Sequence, residues 1–265
     1  MQKHIIIGLL LILATAICSG QNPKVDSLFK KFKKSSFYQD VYPAKLRLEN
    51  YQKEIIPTLI ELLSDTSFMK LTNTFDLIYP GATEFYGHGH FIPYDMDWIS
   101  VRAGWLLEDL TFQDFGYKTS GVDDDYLFKL MKENYNEYLK KGTYDLEWKN
   151  KSSKEKLIEY RKILVLKAKQ WWQTNQNNWT RLSSIKEALK ANEENRLSEV
   201  LQFLRYGETK CDGLNNVVYN TEIKPLIVAL KKTKYKSVKE QVDLLLVEGL
   251  EYWNKEMIKL EKTGK

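Results

Sequence analysis

His88 and His90 are the only histidines after residue 20. They sit two apart in Glu84-Phe85-Tyr86-Gly87-His88-Gly89-His90, with Asp95 and Asp97 close behind. In an extended segment, residues two apart point to the same side, so both imidazoles can converge on one ion. The flanking glycines let the backbone approach it. Such a set suits zinc, with His88, His90 and Asp95 as ligands and a water in the open fourth position. A zinc-bound water is acidic enough to act as a nucleophile at neutral pH, which makes a metal-dependent hydrolase one reading of the chain. The competing reading is a glycine-rich aromatic loop folded over helices, its histidines hydrogen-bonded or facing solvent. Asp97 serves equally well as the N-cap of a helix starting at Trp98.

The same stretch is rich in rings. Tyr79, Phe85, Tyr86, Phe91 and Tyr94 all fall within residues 65–97, and exposed aromatics anchor interfaces and stack on sugars. Glu84, Tyr86, His88, His90, Phe91 and Tyr94 are therefore the candidate binding residues, and a carbohydrate-binding module resting on Tyr86 and Phe91 is a further reading. Trp98, Trp105, Trp171, Trp172 and Trp179 fall on or beside helical segments, where tryptophan is ordinarily core.

Elsewhere the chain offers little chemistry. It has no phosphate-cradling glycine loop, no serine-nucleophile elbow and no zinc-protease helix, so no catalytic residue is assigned. Zinc is the one cofactor the residues suggest. Cys211 would need a neighbouring base to act as a nucleophile, and a packed thiol is the simpler expectation. Lys30-Lys31 and Lys33-Lys34 bracket Phe32, a pattern that suits an anionic membrane surface or, more simply, a solvated helix face.

The first twenty residues define where these groups would work. A polar head with Lys3 leads into the apolar run Ile5 to Leu13, followed by the small-residue region Ala14 to Gly20. This is the order of a secretory signal, with cleavage expected after Gly20. The apolar run is too short to span a bilayer, and no later stretch reaches about 20 uncharged residues. An alternative is a lipoprotein lipidated at Cys18, although Ile17 is bulky where a lipobox has a small residue. Export leaves a protein or cell-envelope component as the expected partner and makes nucleic acid an unsuitable one. A formal charge of +5 does not argue otherwise. After cleavage only Cys211 remains, so no internal disulfide can form.

Residues 21–265 read as one all-α domain. Leu157, Tyr160, Leu164, Ala168 and Trp171 recur at helical spacing, as do Leu197, Val200, Leu201 and Leu204. Val238, Val242, Leu245, Gly249 or Leu250, Trp253, Met257 and Leu260 trace another stripe. Ser152 before Glu155 and Ser184 before Glu187 have capping-box spacing, and Asp123 to Asp125 precede an apolar run. Residues 65–97, with Pro80-Gly81, Gly87, Gly89 and Pro93, resist a helical reading, and shorter loops are expected near Gly116 to Gly121 and Cys211 to Asn216.

Ile55-Ile56-Pro57-Thr58-Leu59-Ile60-Glu61-Leu62-Leu63 resembles the first helix of a HEAT repeat, with proline in the first turn where it forfeits no hydrogen bond. Ile99-Ser100-Val101-Arg102-Ala103-Gly104-Trp105-Leu106-Leu107 resembles the second. Pro225 to Leu230 followed by Ser237-Val238-Lys239 and Val242 to Leu245 repeats the pattern. Leu110 to Tyr117, with Trp171-Trp172 downstream, is similar to exported bacterial HEAT-like proteins. The resemblance implies an α-solenoid of stacked antiparallel helix pairs, interrupted by the 65–97 insertion. It also implies an exported binding or scaffold protein that works through an extended surface.

Overall fold

The computed structural model describes residues 22–35, 38–65, 67, 99–118 and 151–248, the side chains of 38, 39, 151–160 and 248 excepted. Among these residues the chain is helical and contains no strand. The all-α reading holds.

α1 (Pro23–Lys34) begins at Asn22, whose side chain accepts from the Lys24 amide at 3.1 Å. This N-cap satisfies a donor that a helix start otherwise leaves open. α1 packs against α2 (Tyr38–Glu49) through Val25, Phe29 and Phe32 on one side and Val41, Ala44 and Leu48 on the other, all buried. Phe32 is thus a core residue. Lys30, Lys31 and Lys34 around it face solvent, which is the solvated-face alternative.

After a 3-10 turn (Gln52–Ile55), α3 (Ile56–Leu62) carries Pro57 in its first turn. It packs against α4 (Ile99–Thr111). The two ends of the segment between them are tied together. Ile99 N donates to Ser67 O and Ser100 N to Asp65 O, each at 3.0 Å. α4 is buried on nearly every side, including Arg102 and Glu108. Trp171 and Trp172 of α5 (Lys151–Asn175) lie partly buried against this first core, and Trp179 is buried within it.

A second core forms around α6 (Arg181–Lys190), α7 (Glu194–Tyr206) and α9 (Lys236–Glu248). Between α7 and α9, Asn216–Val218, a π-helical turn (Tyr219–Ile223) and α8 (Lys224–Ala229) follow one another directly. Pro225 stands in the first turn of α8, where it forfeits no hydrogen bond. Val238, Val242 and Leu245 are fully buried on α9, as their spacing predicts.

One capping expectation is corrected. α6 starts three residues before Ser184, and its capping box pairs Thr180 with Ser183. Thr180 Oγ1 accepts from Ser183 N at 3.0 Å, and Ser183 Oγ from Thr180 N at 3.1 Å. Ser184 lies inside the helix, fully buried, and takes the Trp179 indole N–H at 2.6 Å. The Ser-x-x-Glu spacing at Ser184 points too far along the chain, because Thr180-Arg181-Leu182-Ser183 offers the same reciprocal bonds with a serine at the fourth place. Ser152 lies at the edge of α5, among the side chains not described, and Asp123 to Asp125 fall outside the described residues.

Gly104 marks a close approach. The Tyr117 ring lies directly on it, so a Cβ there would overlap the ring carbons. We expect Gly104→Ala to displace Tyr117 and cost about 1–3 kcal/mol, the usual range for overpacking a filled core. An unaltered urea unfolding midpoint would contradict this close fit.

Candidate functional site

Glu84, Tyr86, His88, His90, Phe91, Tyr94, Asp95 and Asp97 lie outside the described residues, as does Cys18. The zinc and carbohydrate readings rest on them. Among the described residues, no group of three or more His, Cys, Asp or Glu side chains is arranged to hold a metal ion. No described helix is long and apolar enough to cross a membrane.

Cys211 is buried, and its Sγ lies 3.9 Å from Asp212 O. Burial pushes its thiol up to about 12, against the pull of the Arg181 charge. It stays protonated and unreactive at neutral pH. The packed-thiol expectation stands.

Two arrangements on the described residues carry charge in an organised way, and one positions the other. The first is a buried ionic junction between the two cores. Arg181 opens α6 with its guanidinium fully buried and paired with Glu49 at the end of α2. The same guanidinium donates to Thr209 Oγ1 at 2.9 Å and to Lys210 O at 3.1 Å, and its carbon lies 4.2 Å from the centre of the Phe203 ring. Thr209 Oγ1 in turn donates to Glu49 Oε1 at 3.0 Å. Beside this pair, Asp109 accepts from Lys45 Nζ at 2.5 Å and from Lys118, which also binds Glu199. Burial by itself would raise the Asp109 carboxyl; the Lys118 and Lys45 ammoniums outweigh it and hold it well below the usual range. Burial likewise opposes the charge on Lys45 and Lys118, yet Asp109 keeps both well above the ordinary lysine value. Asp109, Lys45 and Lys118 are thus each held in the charged form by their partners, away from neutrality. The cluster is built to hold helices together.

Glu108, one residue away, is a different case. It is 3% exposed, and its carboxylate gathers four successive backbone amides, those of Phe115, Gly116, Tyr117 and Lys118, at 2.8–2.9 Å. Such a run of converging N–H groups is an anion nest filled by the chain's own side chain. Gly116 closes it at φ 108°, a conformation that glycine adopts without strain. Trp105 Nε1 donates to Tyr117 O at 3.1 Å and fixes the far end.

The second arrangement is an open groove of about 670 Å³ beside α1, a volume within the range of ligand sites. α1 contributes one stripe of its surface, with Lys24, Leu28 and Lys31 at helical spacing. The rest of the lining includes Arg47 and Tyr51, from the end of α2 and the turn after it, and Lys210 from the loop following α7. Lys24, Lys31, Arg47 and Lys210 are exposed, while Leu28 and Tyr51 are half-buried against the first core. No carboxylate lines the groove; Asp212 reaches Lys210 at 3.4 Å from outside it.

The junction sets the position of this loop. Lys210 N donates to Asn50 Oδ1 at 2.8 Å and Asp212 N to Gln52 Oε1 at 3.4 Å, while Arg181 holds Lys210 O. Gln52 adopts φ 48°, the left-handed region that a non-glycine residue seldom enters. Its buried side chain makes one of these loop contacts. The sequence shows the lysines of α1 but gives no sign that Arg47 and Lys210, far apart along the chain, complete the same groove.

No family model matches the chain, and no curated protein or solved structure is significantly similar to it.

Proposed function

We propose that the protein is an exported binding protein of the stacked-helix, HEAT-like type, which presents a surface to an anionic partner and carries out no reaction. One observation carries this reading: four cationic side chains, with no carboxylate among them, surround a partly apolar floor. A protein surface of mixed charge acquires such a one-sign concavity at a cost in self-repulsion, and its field concentrates ligands of the opposite sign. The stacked-helix reading draws support from consecutive described helices that pack together, α1 with α2, α3 with α4, α6 with α7. The first-turn prolines Pro57 and Pro225 add to it. Export rests on residues 1–20.

Two measurements test it. Residues 1–20 fused to a reporter active only outside the cytoplasm are expected to confer activity; a silent reporter removes the export element. A panel of anionic probes (pyrophosphate, an acidic peptide, a sulfated oligosaccharide) titrated into the protein is expected to yield binding that Lys31→Glu/Arg47→Glu weakens by roughly tenfold or more, the size of a lost charge pair or two. Absence of binding across the panel would end the groove reading.

A further inference from the structure

Building on the reading of the groove as a binding surface, we infer that its occupant is an extended acidic peptide segment with an apolar side chain among its carboxylates.

Three features of the groove choose this occupant. The first is spacing. Lys24 and Lys31 share one stripe of α1 seven residues apart, which places them about 10 Å apart along the helix axis at 1.5 Å per residue. An extended chain covers that distance in about three residues at 3.3 Å each. Carboxylates on such a segment meet both ends of the stripe, whereas a single phosphate seated at one end leaves the other unused. The second feature is the origin of the cations in separate elements. Arg47, from the end of α2, and Lys210, from the loop after α7, line the groove together with the α1 lysines, and alternate side chains of an extended chain point to opposite sides. One strand therefore supplies anions to both sets of cations at once.

The third feature is the floor. Leu28 lies between Lys24 and Lys31 on the same stripe, and Tyr51 adjoins it; both are half-buried. Covering them is favourable only for an apolar group, which gains in proportion to the area it removes from water. A sulfated polysaccharide satisfies the cations but brings no such group. A flat anionic bilayer reaches the rim of a concave site and leaves its floor wet. An acidic peptide with one leucine satisfies walls and floor together. Ser27 and Asn50 also line the groove, and their hydroxyl and amide groups can hydrogen-bond a main chain laid in it.

The test uses the full chain and a fluorescein-labelled octapeptide in which aspartates surround a central leucine, read by anisotropy. Binding is expected to weaken at least tenfold in Lys31→Glu/Arg47→Glu and to remain unchanged in Lys190→Glu, an exposed lysine of α6 that does not line the groove. Raising salt from 50 to 500 mM is expected to weaken it by roughly tenfold or more, because these charges are solvent-exposed. Replacing the peptide's leucine with serine is expected to weaken it about fivefold, the share of an aliphatic side chain that the open groove covers only in part. Thermal midpoints of the variants, expected to match wild type, separate lost binding from lost folding.

A sulfated hexasaccharide and phosphatidylglycerol vesicles complete the experiment. If either binds through Lys31 and Arg47 while the peptide does not, the groove reading survives and the peptide occupant is overturned. Peptide binding that ignores the Lys31→Glu/Arg47→Glu pair, or that gains nothing from leucine, overturns it as well. If none of the three probes binds, the groove reading falls with it.

Discussion

Arg181→Ala is expected to lower stability by about 3–5 kcal/mol, the cost of leaving a buried charge without its partner. Glu49 is 5% exposed and would lose its counter-ion in place, while Thr209 and Lys210 O would lose their donor. In a domain of this size, with roughly 2–4 °C per kcal/mol, the thermal midpoint falls by about 10 °C. Glu49→Ala should be comparably severe, since it strands the guanidinium. The pair itself is a different quantity. Two ions removed from water recover their desolvation only through excellent geometry, so Glu49→Leu/Arg181→Met should be much milder than either single alanine variant. Urea unfolding of the four proteins checks this. Additive effects would show that the two residues act separately and not as a buried pair.

The double variant also separates stability from function. Without Arg181 and Glu49, the loop bearing Lys210 keeps its contacts to Asn50 and Gln52 but loses its tie to α6. Binding to the groove should then weaken although the fold is retained. The interior ion pair thus acts on the surface through a backbone carbonyl and a threonine hydroxyl.

What is legible in the sequence follows from the range of the forces involved. Helix periodicity is local, and it places Leu197, Val200, Leu201 and Leu204 on the buried face of α7 and Val238, Val242 and Leu245 on that of α9. First-turn prolines are local as well, and Pro57 and Pro225 both stand at helix starts. The start of α6 is less legible, because serine at the fourth place of Thr180-Arg181-Leu182-Ser183 does as well there as glutamate. The ion pair Arg181–Glu49 is invisible, since nothing at either position announces a partner 132 residues away. A weaker sign exists for α4: Glu108 and Asp109 interrupt a leucine-rich run, and carboxylates flanked by Leu106, Leu107 and Leu110 must find donors if that helix is buried. Histidines and glycines make residues 84–97 conspicuous by type alone. The described charge organisation instead lies on α1, α2, α4, α6 and the loop after α7, where common residue types gain their meaning only from folding.

Glu108→Ala is expected to cost about 3–5 kcal/mol, because four backbone amides lose one shared acceptor and each unsatisfied buried donor costs about 1–3 kcal/mol before water re-enters. Glu108→Gln keeps one acceptor oxygen and should cost less. The more telling effect is on pH dependence. Burial raises the Glu108 carboxyl to about 7 from an ordinary 4.5, against the amides of Tyr117 and Lys118, which favour its charged form. Below pH 4.5 the proton is bound in both folded and unfolded chains. Between 4.5 and about 7 the unfolded chain has released it and the folded chain has not, so stability falls as pH rises through this window. Above about 7 the loss is complete and levels off. Asp109 acts in the opposite sense. Its lowered value adds stability above the ordinary 3.8 that disappears as pH falls below it. Stability of the wild type should therefore peak near pH 4–5 and decline towards 7 by up to a few kcal/mol, since each pH unit between folded and unfolded values is worth about 1.4 kcal/mol. In Glu108→Gln, which cannot ionise, the decline should vanish while the acid limb set by Asp109 remains. Urea midpoints taken at roughly half-unit steps from about pH 4 to 8 decide the matter: a wild-type curve that rises across this window would mean that the four amides, and not burial, govern this carboxylate.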